Sequence, residues 1–499
     1  MATYEVARGT RDILPAEMAV RTRVEHAIRR TFESYGFQRI RTPLFEDFEL
    51  FAARSGEEIR ESMFTLVFDH QEYALRPELT APVCRLVASG KLGELPRPYK
   101  LYYIGQCYRY GRPGPGEHRE FTQAGLELMG SPDALADAEV IAVAARTLQN
   151  LQVPDFRLKV GNVGISRQVL EGACGDDFDA QGRAIDDVDH LLRTRERCRA
   201  LTAKDRLEPE DVEYVRSETE TLARAGEDGS GGEAGVRPGA KLSESAAREL
   251  LAALPTAAED ACRAAWAADH VVPPEAGELL LRVSRVRGQA APAIDEARAL
   301  LAGTPAIERL DELAHVCELL AAYGLGDFEV VPGLARGLGF YTSTVFEIDC
   351  PPLGARQQVC GGGRYDRLVE DFGGEPLPAT GFAIRFERVV ELVRRRGAGA
   401  SVAPIDVFVA ATGPDARAKA VETAEALRAA GLRAAVDVMG LDVESQLDHA
   451  ARLRAALCVV RGAEGLDEDE CLLRRLPAGP EQTVPLARLA SEIKRQIES

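Results

Sequence analysis

Several things are scarce or missing in this chain of 499 residues. No run of about 18 or more consecutive apolar residues occurs, the length a membrane-spanning helix requires, so no membrane partner is expected. The N-terminus, MATYEVARGTRD, does not read as a signal peptide. Ten cysteines are scattered without a C-x-x-C pair or a neighbouring histidine cluster. That spacing indicates neither a zinc site nor a disulfide framework, and no metal-ligating residue is expected; reduced thiols and a cytoplasmic location are. Basic charge is in deficit, with 61 Lys and Arg against 79 Asp and Glu and a formal net charge of −18. Such a balance excludes a chain coated with nucleic-acid-binding charge, because phosphate contacts need lysine or arginine. It leaves room for a local basic cleft, for which Arg8, Arg11, Arg109, Arg112 and Arg119 are candidates. No internal repeat is evident beyond an alternation of elements near the C-terminus.

What is present is the composition of a globular protein, 45% apolar and 28% charged. The chain exceeds the size at which single cores stop growing, so two to four domains are expected. Residues 17–35 carry helical spacing, with Val20, Val24, Ile28 and Phe32 on one stripe and Gly36 as a stop. A strand-like stretch follows, interrupted by Pro43, and then LRPELTAPVCRLVASG, where a helix starts near Thr80. Residues 101–130 read as two strands joined by a Gly/Pro loop longer than the usual hairpin connection, and long ordered loops are usually functional. From 154 to 327 the pattern is helical, broken by the acidic GEDGSGGEAG at 226–235. Strand character returns at 328–397. After the loop GAGASVAP, residues 403–499 alternate strands and helices as a small three-layer α/β domain.

The stretch CYRYGRPGPGEHREFTQAGLELMG (107–130) concentrates charge around that loop. Strand alternation puts Arg119, Gln123, Gly125 and Glu127 on one face, and Thr122, Ala124, Leu126 and Leu128 on the other. Arg109 has the parity of Cys107, Gly105 and Tyr103, so pairing the two strands brings it opposite the polar row. Such a floor suits a phosphate gripped by arginine and a cationic or amide-like group accepted by Glu127 and Gln123. A solvated hairpin with ordinary surface ion pairs is the alternative.

The neighbouring segments bear on that choice. RGTRDILP (8–15), TPLFED (42–47), LRPELTAP (75–82), the hairpin, ARGLGFYTSTVFE (335–347), CGGGRYDRLV (360–369) and GFAIRFERV (381–389) occur in an order that closely resembles the histidyl-tRNA synthetase family. The resemblance covers about 1–150 and 328–499. It implies an α+β catalytic core of class II synthetase type, an antiparallel sheet with flanking helices, in two parts at 1–153 and 328–397. A helical insertion at 154–327 and an anticodon-binding-like α/β domain at 403–499 complete the expected plan. The implied reaction is that of a histidine-tRNA ligase, activating histidine with ATP and Mg2+ and passing it to histidine tRNA, in a homodimer whose interface motif contains Pro43.

The same resemblance implies roles for residues. Arg109 grips the α-phosphate, Arg388 lies along the triphosphate, Arg119 steers the phosphates, and Arg336 sits by the substrate carboxylate and α-phosphate. Glu78, Leu79 and Thr80 with Gln123 face the substrate ammonium. Glu127 and Tyr341, with Phe340 beside it, meet the imidazole. Four departures stand out. The family's D-Y-Y reads Gly339, Phe340, Tyr341; Arg385 stands where a glycine usually underlies the adenosine; and Glu117 and His118 replace an arginine and an aromatic. The last domain, moreover, has twelve Lys and Arg against sixteen Asp and Glu. These keep a second reading open, a catalytically silent paralogue serving as the histidine-sensing regulatory subunit of ATP phosphoribosyltransferase, which typically lacks the C-terminal domain. Arg385 is expected to turn aside and leave the nucleotide site open.

Overall fold

The computed structural model describes residues 4–52, 62–110, 118–174, 178–202, 204, 206–207, 209–225, 242–268, 272–334, 340–356, 358–396, 405–477 and 479–498. Two compact units divide the chain, Met1–Gly399 and Ala400–Ser499.

The first unit holds strands β1 (Gln38–Arg39), β2 (Phe45–Asp47), β3 (Phe64–Phe68), β4 (Gln71–Leu75), β5 (Tyr99–Tyr108), β6 (Glu120–Met129), β7 (Arg157–Asn162), β8 (Glu329–Val330), β9 (Thr344–Asp349), β10 (Gln358–Arg364) and β11 (Ala379–Arg385). Eight of them form one sheet in the order β1-β5-β6-β11-β10-β9-β7-β8, and β2, β4 and β3 form a small second sheet. From β5 to β7 every pairing in the large sheet is antiparallel, with one parallel partner at each edge. That is the expected antiparallel core.

One face of the sheet is covered. The helix Pro15–Ser34 buries Val20, Val24, Ile28 and Phe32, the stripe read from the sequence, and turns off at Gly36 with φ +83°. Phe32 is fully buried, edge-on to Tyr102 of β5 at 5.6 Å and to Phe382 of β11 at 5.7 Å. The helix Ala134–Asn150, with the Asp133 side chain accepting from Leu135 N, contributes Val140, Ile141, Ala144 and Leu148 to the same core.

Between β7 and β8 run seven helices of the described residues, from Val163–Cys174 to Ile307–Ala322. The segment read as helical from 154 onward nevertheless begins with β7, which pairs with β9 and β8 inside the main sheet. Its sequence, RLKVGN, alternates too weakly to be told from the helical run beside it. The acidic stretch 226–235 and the loop 397–404 lie outside the described residues.

The second unit places β12 (Val407–Ala411), β13 (Ala434–Val436), β14 (Leu457–Arg461), β15 (Glu470–Arg475) and β16 (Glu481–Pro485) in the order β13-β12-β14-β15-β16. Helices Pro414–Ala429, Val443–Arg452 and Leu486–Glu498 accompany them. The antiparallel hairpin of β15 and β16 is an addition to the expected alternation. Neither ECLLRR nor EQTVP shows the apolar alternation that marks a strand.

Phe32→Ala is expected to cost about 3–5 kcal/mol, the range for deleting a fully buried aromatic ring. A lowered first transition in scanning calorimetry, with the second unit's transition unmoved, checks this.

Candidate active site

The uncovered face of the main sheet is built from cross-strand rows, whose members share a face. One row runs Leu101, Glu127, Gly381, Gly363, Val345 and Gly161 from β5 to β7. The next runs Tyr103, Gly125, Ala383, Gly361, Glu347 and Lys159. A third sets Gly105 opposite Gln123 and Gln123 opposite Arg385. The face assignment of β6 drawn from alternation therefore holds. β11 and β10 carry only glycine or alanine in the first two rows, so the sheet there forms a low floor on which side chains from neighbouring positions lie flat, and Gly361 and Ala383 remain half-buried.

Glu127 lies across that floor. A Cβ on Gly381 would stand 1.8 Å from Glu127 Oε2, and one on Gly125 would stand 2.6 Å from the Tyr103 hydroxyl. No residue other than glycine fits either position without displacing the carboxylate or its partner. Tyr103 OH donates to Glu127 Oε1 at 2.9 Å, and Tyr365 OH donates to Oε2. Glu127 is 1% exposed, and burial pushes its carboxyl up to about 8 against the opposing hydroxyls. Phe340 packs on Tyr341 at 4.8 Å and on Tyr365 at 5.9 Å, closing this end with aromatic rings.

LRPELT forms a second wall. Both Glu78 carboxylate oxygens accept backbone N–H groups, from Thr80 at 2.5 Å and from Ala81 at 2.9 Å, at the start of the helix Thr80–Ala88. Burial raises the Glu78 carboxyl, with those amides and Arg109 opposing. Leu79 N donates to Gln123 Oε1 at 2.9 Å, joining this wall to the floor. Arg76 is structural: its guanidinium donates to the carbonyls of Thr42, Pro43 and Gln106.

The arginines gather toward the open end of β6. Arg109 N donates to Arg119 O at 2.9 Å, which sets them opposite each other as parity required. Arg109 Nε donates to Pro77 O at 3.0 Å, and its guanidinium lies 5.6 Å from the centre of the Phe121 ring. Arg119 stacks on Tyr110 at 4.1 Å and donates to Arg8 O. Arg388 Nη1 donates to Gln358 O at 2.7 Å.

The structure thus brings together Glu78, Leu79, Thr80, Gln123, Glu127, Phe340 and Tyr341, with Arg109, Arg119 and Arg388 toward one end. Arg336 lies outside the described residues. Glu78, expected at the ammonium position, also caps a helix. Sequence reasoning missed three residues. Tyr103 and Tyr365 hold Glu127; the former was legible as the parity-mate of Arg109, whereas Tyr365 reaches Glu127 from 238 positions away. Glu387 accepts from Arg21 Nη2 and Thr122 N, both at 2.9 Å, and anchors the start of the helix Phe386–Arg395. Among the described residues no group of three or more His, Cys, Asp or Glu is arranged to hold a metal ion.

The raised Glu127 carboxyl has a thermodynamic sign. Below its ordinary value of 4.5 the folded and unfolded states both carry the proton; above it the unfolded chain releases the proton first. Stability from this group is thus lost as pH rises from about 4.5 through about 8. Glu127→Gln should remove that slope, so melting temperature relative to wild type rises over this window. A constant difference across it would contradict the buried neutral carboxyl.

Three kinds of likeness bear on this geometry. The family model for histidyl-tRNA synthetase matches residues 9–226 and 235–389, and that for the anticodon binding domain matches 406–496. The histidine–tRNA ligase of Thermococcus kodakarensis is 32% identical over 498 residues, covering 99% of each chain. That of Archaeoglobus fulgidus is 33% identical over 475 residues, 95% of each chain. The histidyl-tRNA synthetase of Nostoc sp. PCC 7120 shares the fold with TM-score 0.70 and 21% identity, over 99% of this chain and all of that one. A Bacillus halodurans structure described as an ATP phosphoribosyltransferase regulatory subunit/histidyl-tRNA synthetase follows with TM-score 0.64 and 23% identity, over 90% and 97% of the two chains. On the strength of the two matched models and the full-length relatives, the chain belongs to the histidyl-tRNA synthetase family.

Proposed function

We propose that the chain is a histidine–tRNA ligase. The observation that carries this reading is Glu127, a buried carboxyl on a glycine floor, with Gln123 about 14 Å along the same strand and Arg109, Arg119 and Arg388 beyond it. One end suits an imidazole and the other a triphosphate. The regulatory reading is disfavoured, because the relatives matched over their full length are ligases and the second unit matches the anticodon-binding model.

In the first step an oxygen of the histidine carboxylate attacks the α-phosphorus of MgATP. The bond from that phosphorus to the bridging oxygen breaks, and pyrophosphate leaves with the electron pair. Mg2+ comes with the nucleotide as part of the substrate. Arg109 and Arg388, with Arg119 nearby, neutralise charge on the α-phosphate and on the leaving group, where it grows. Arg336, by the resemblance, serves the same centre. In the second step a ribose hydroxyl at the end of histidine tRNA attacks the carbonyl carbon, and AMP departs.

Glu127 gives the specificity. Its carboxylate accepts an imidazole N–H while the Tyr341 phenol serves the other nitrogen, so histidine is chosen by donors and acceptors rather than by size. Tyr103 and Tyr365 fix the carboxylate's direction. Glu78, Thr80 and Gln123 face the ammonium group. Burial raises this carboxyl to about 8 in the empty site, and an imidazole N–H directed at it favours the ionised form.

A homodimer in the cytoplasm belongs to the same proposal. No helix among the described residues is long and apolar enough to cross a membrane. Leu66 and Phe68 of β3 and Phe45 of β2 are exposed apolar residues on one face of the small sheet, suited to a second copy.

Histidine-dependent ATP–pyrophosphate exchange by the purified chain is the direct test; its absence would remove the ligase reading. Glu127→Ala should weaken histidine binding by about 1.5–3 kcal/mol, the worth of a hydrogen bond to a charged group. Calorimetry showing unchanged affinity would take Glu127 out of the pocket. Light scattering at micromolar concentration should give a dimer that Phe68→Asp shifts to monomer, and a monomeric wild type would rule the interface out.

A further inference from the structure

Gln358 is the first residue of β10, and simple alternation would turn it toward the core with Cys360 and Gly362. Cys360 pairs with Ile348 and Ile384, and Gly362 with Phe346 and Phe382, all on the covered face. Between Gln358 and Cys360, however, the register with β9 shifts, and Gln358 pairs with Asp349 instead. Asp349 is two residues from Glu347 and shares its face, the uncovered one. A bulge of this kind re-aims a side chain beside a site. Here it brings the Gln358 amide onto the glycine floor.

There the amide is held from both sides. Its Nε2 donates to Glu347 Oε1 at 2.6 Å. With the donor end so engaged, the acceptor end is Oε1, and Arg385 Nη2 donates to it at 3.4 Å. Arg385 is exposed, ends β11, and stands directly across from Gln123 on the site face. Its guanidinium is therefore drawn toward β10, away from Gln123. Arg388 donates to the main-chain oxygen of Gln358, so side-chain changes at 358 spare that bond.

We infer that Gln358, oriented by Glu347, is a positioning residue that tethers Arg385 to one side so that the floor stays open to the nucleotide. This rests on the ligase reading, in which that floor takes ATP. Without the tether, the Arg385 side chain is long enough to lie over Ala383 and Gly361 and to compete with the nucleoside for that space.

The test is a double-mutant cycle on the full chain, reading the Kd for MgATP by calorimetry. Gln358→Ala should weaken binding about five- to tenfold, in the range of coupled neighbours. Gln358→Met, which keeps the side-chain length without the acceptor, should do the same and guards against a packing defect. Arg385→Gly should bind at least as tightly as wild type, and adding Gln358→Ala to it should change the Kd by less than about twofold. A structural role of Gln358 would instead persist without Arg385. Equal losses in both backgrounds, no loss in either, weaker binding by Arg385→Gly, or no ATP binding by any of the proteins would each overturn the tether. If the cycle behaves as expected but pyrophosphate exchange is absent, the ligase reading alone falls and the tether stands.

Discussion

The Glu127 carboxylate occupies the space where any side chain on Gly381 would begin. That single close approach constrains the rest of the site. It demands glycine opposite Glu127 on β11, and two hydroxyls, from β5 and from the turn after β10, to meet the oxygens that burial has taken from water. A carboxyl without those donors would be an unsatisfied group in a dry environment, among the costlier defects a fold can contain. The glycines also leave the sheet low enough for Glu127, Tyr103 and Tyr341 to lie flat on it, with Gly361 and Ala383 half-buried beyond them. A shallow floor lined by a few fixed polar groups reads as a binding surface rather than as unfinished core.

The two faces of the sheet accordingly solve different problems. The covered one is held by rings and aliphatic stripes from two helices, with Phe32 between Tyr102 and Phe382. Polar ties fix chain segments on both: Arg76 holds Thr42 and Pro43 on the side of the site, whereas Arg364 on Asp137 at 2.9 Å and Glu387 on Arg21 and Thr122 join the two covering helices to the other face. Several arginines inside recognisable motifs are therefore structural ties, while others point toward the floor. Motif membership alone does not separate them.

Local periodicity carried much of this. The stripe on the first helix, the helix start at Thr80 and the two faces of β6 follow from spacing of 3.6 and 2, and the structure has each of them. What spacing could not carry was long-range. Tyr365 reaches Glu127 through the fold, and no local pattern marks it. RLKVGN becomes a strand because β8 and β9 flank it, a tertiary decision that overrides a weak pattern. The bulge at Gln358 reverses the alternation on which face assignment rests. Mixed composition concealed β15 and β16, whose outward positions are Glu470, Leu472 and Arg474 on one strand and Glu481, Thr483 and Pro485 on the other. The segment containing Arg336 was legible as a motif, although its placement lies outside the described residues.

The second unit has two apolar clusters on opposite sides of its sheet, one around Val407, Val409, Leu457 and Val459, the other around Phe408, Ala410, Cys458 and Val460. Its central strands are buried along their whole length. A hundred residues that complete their own interior in this way form a portable module. Lineages can gain, lose or exchange it as one genetic piece, and drift in its surface charge, here more acidic than basic, leaves its folding untouched.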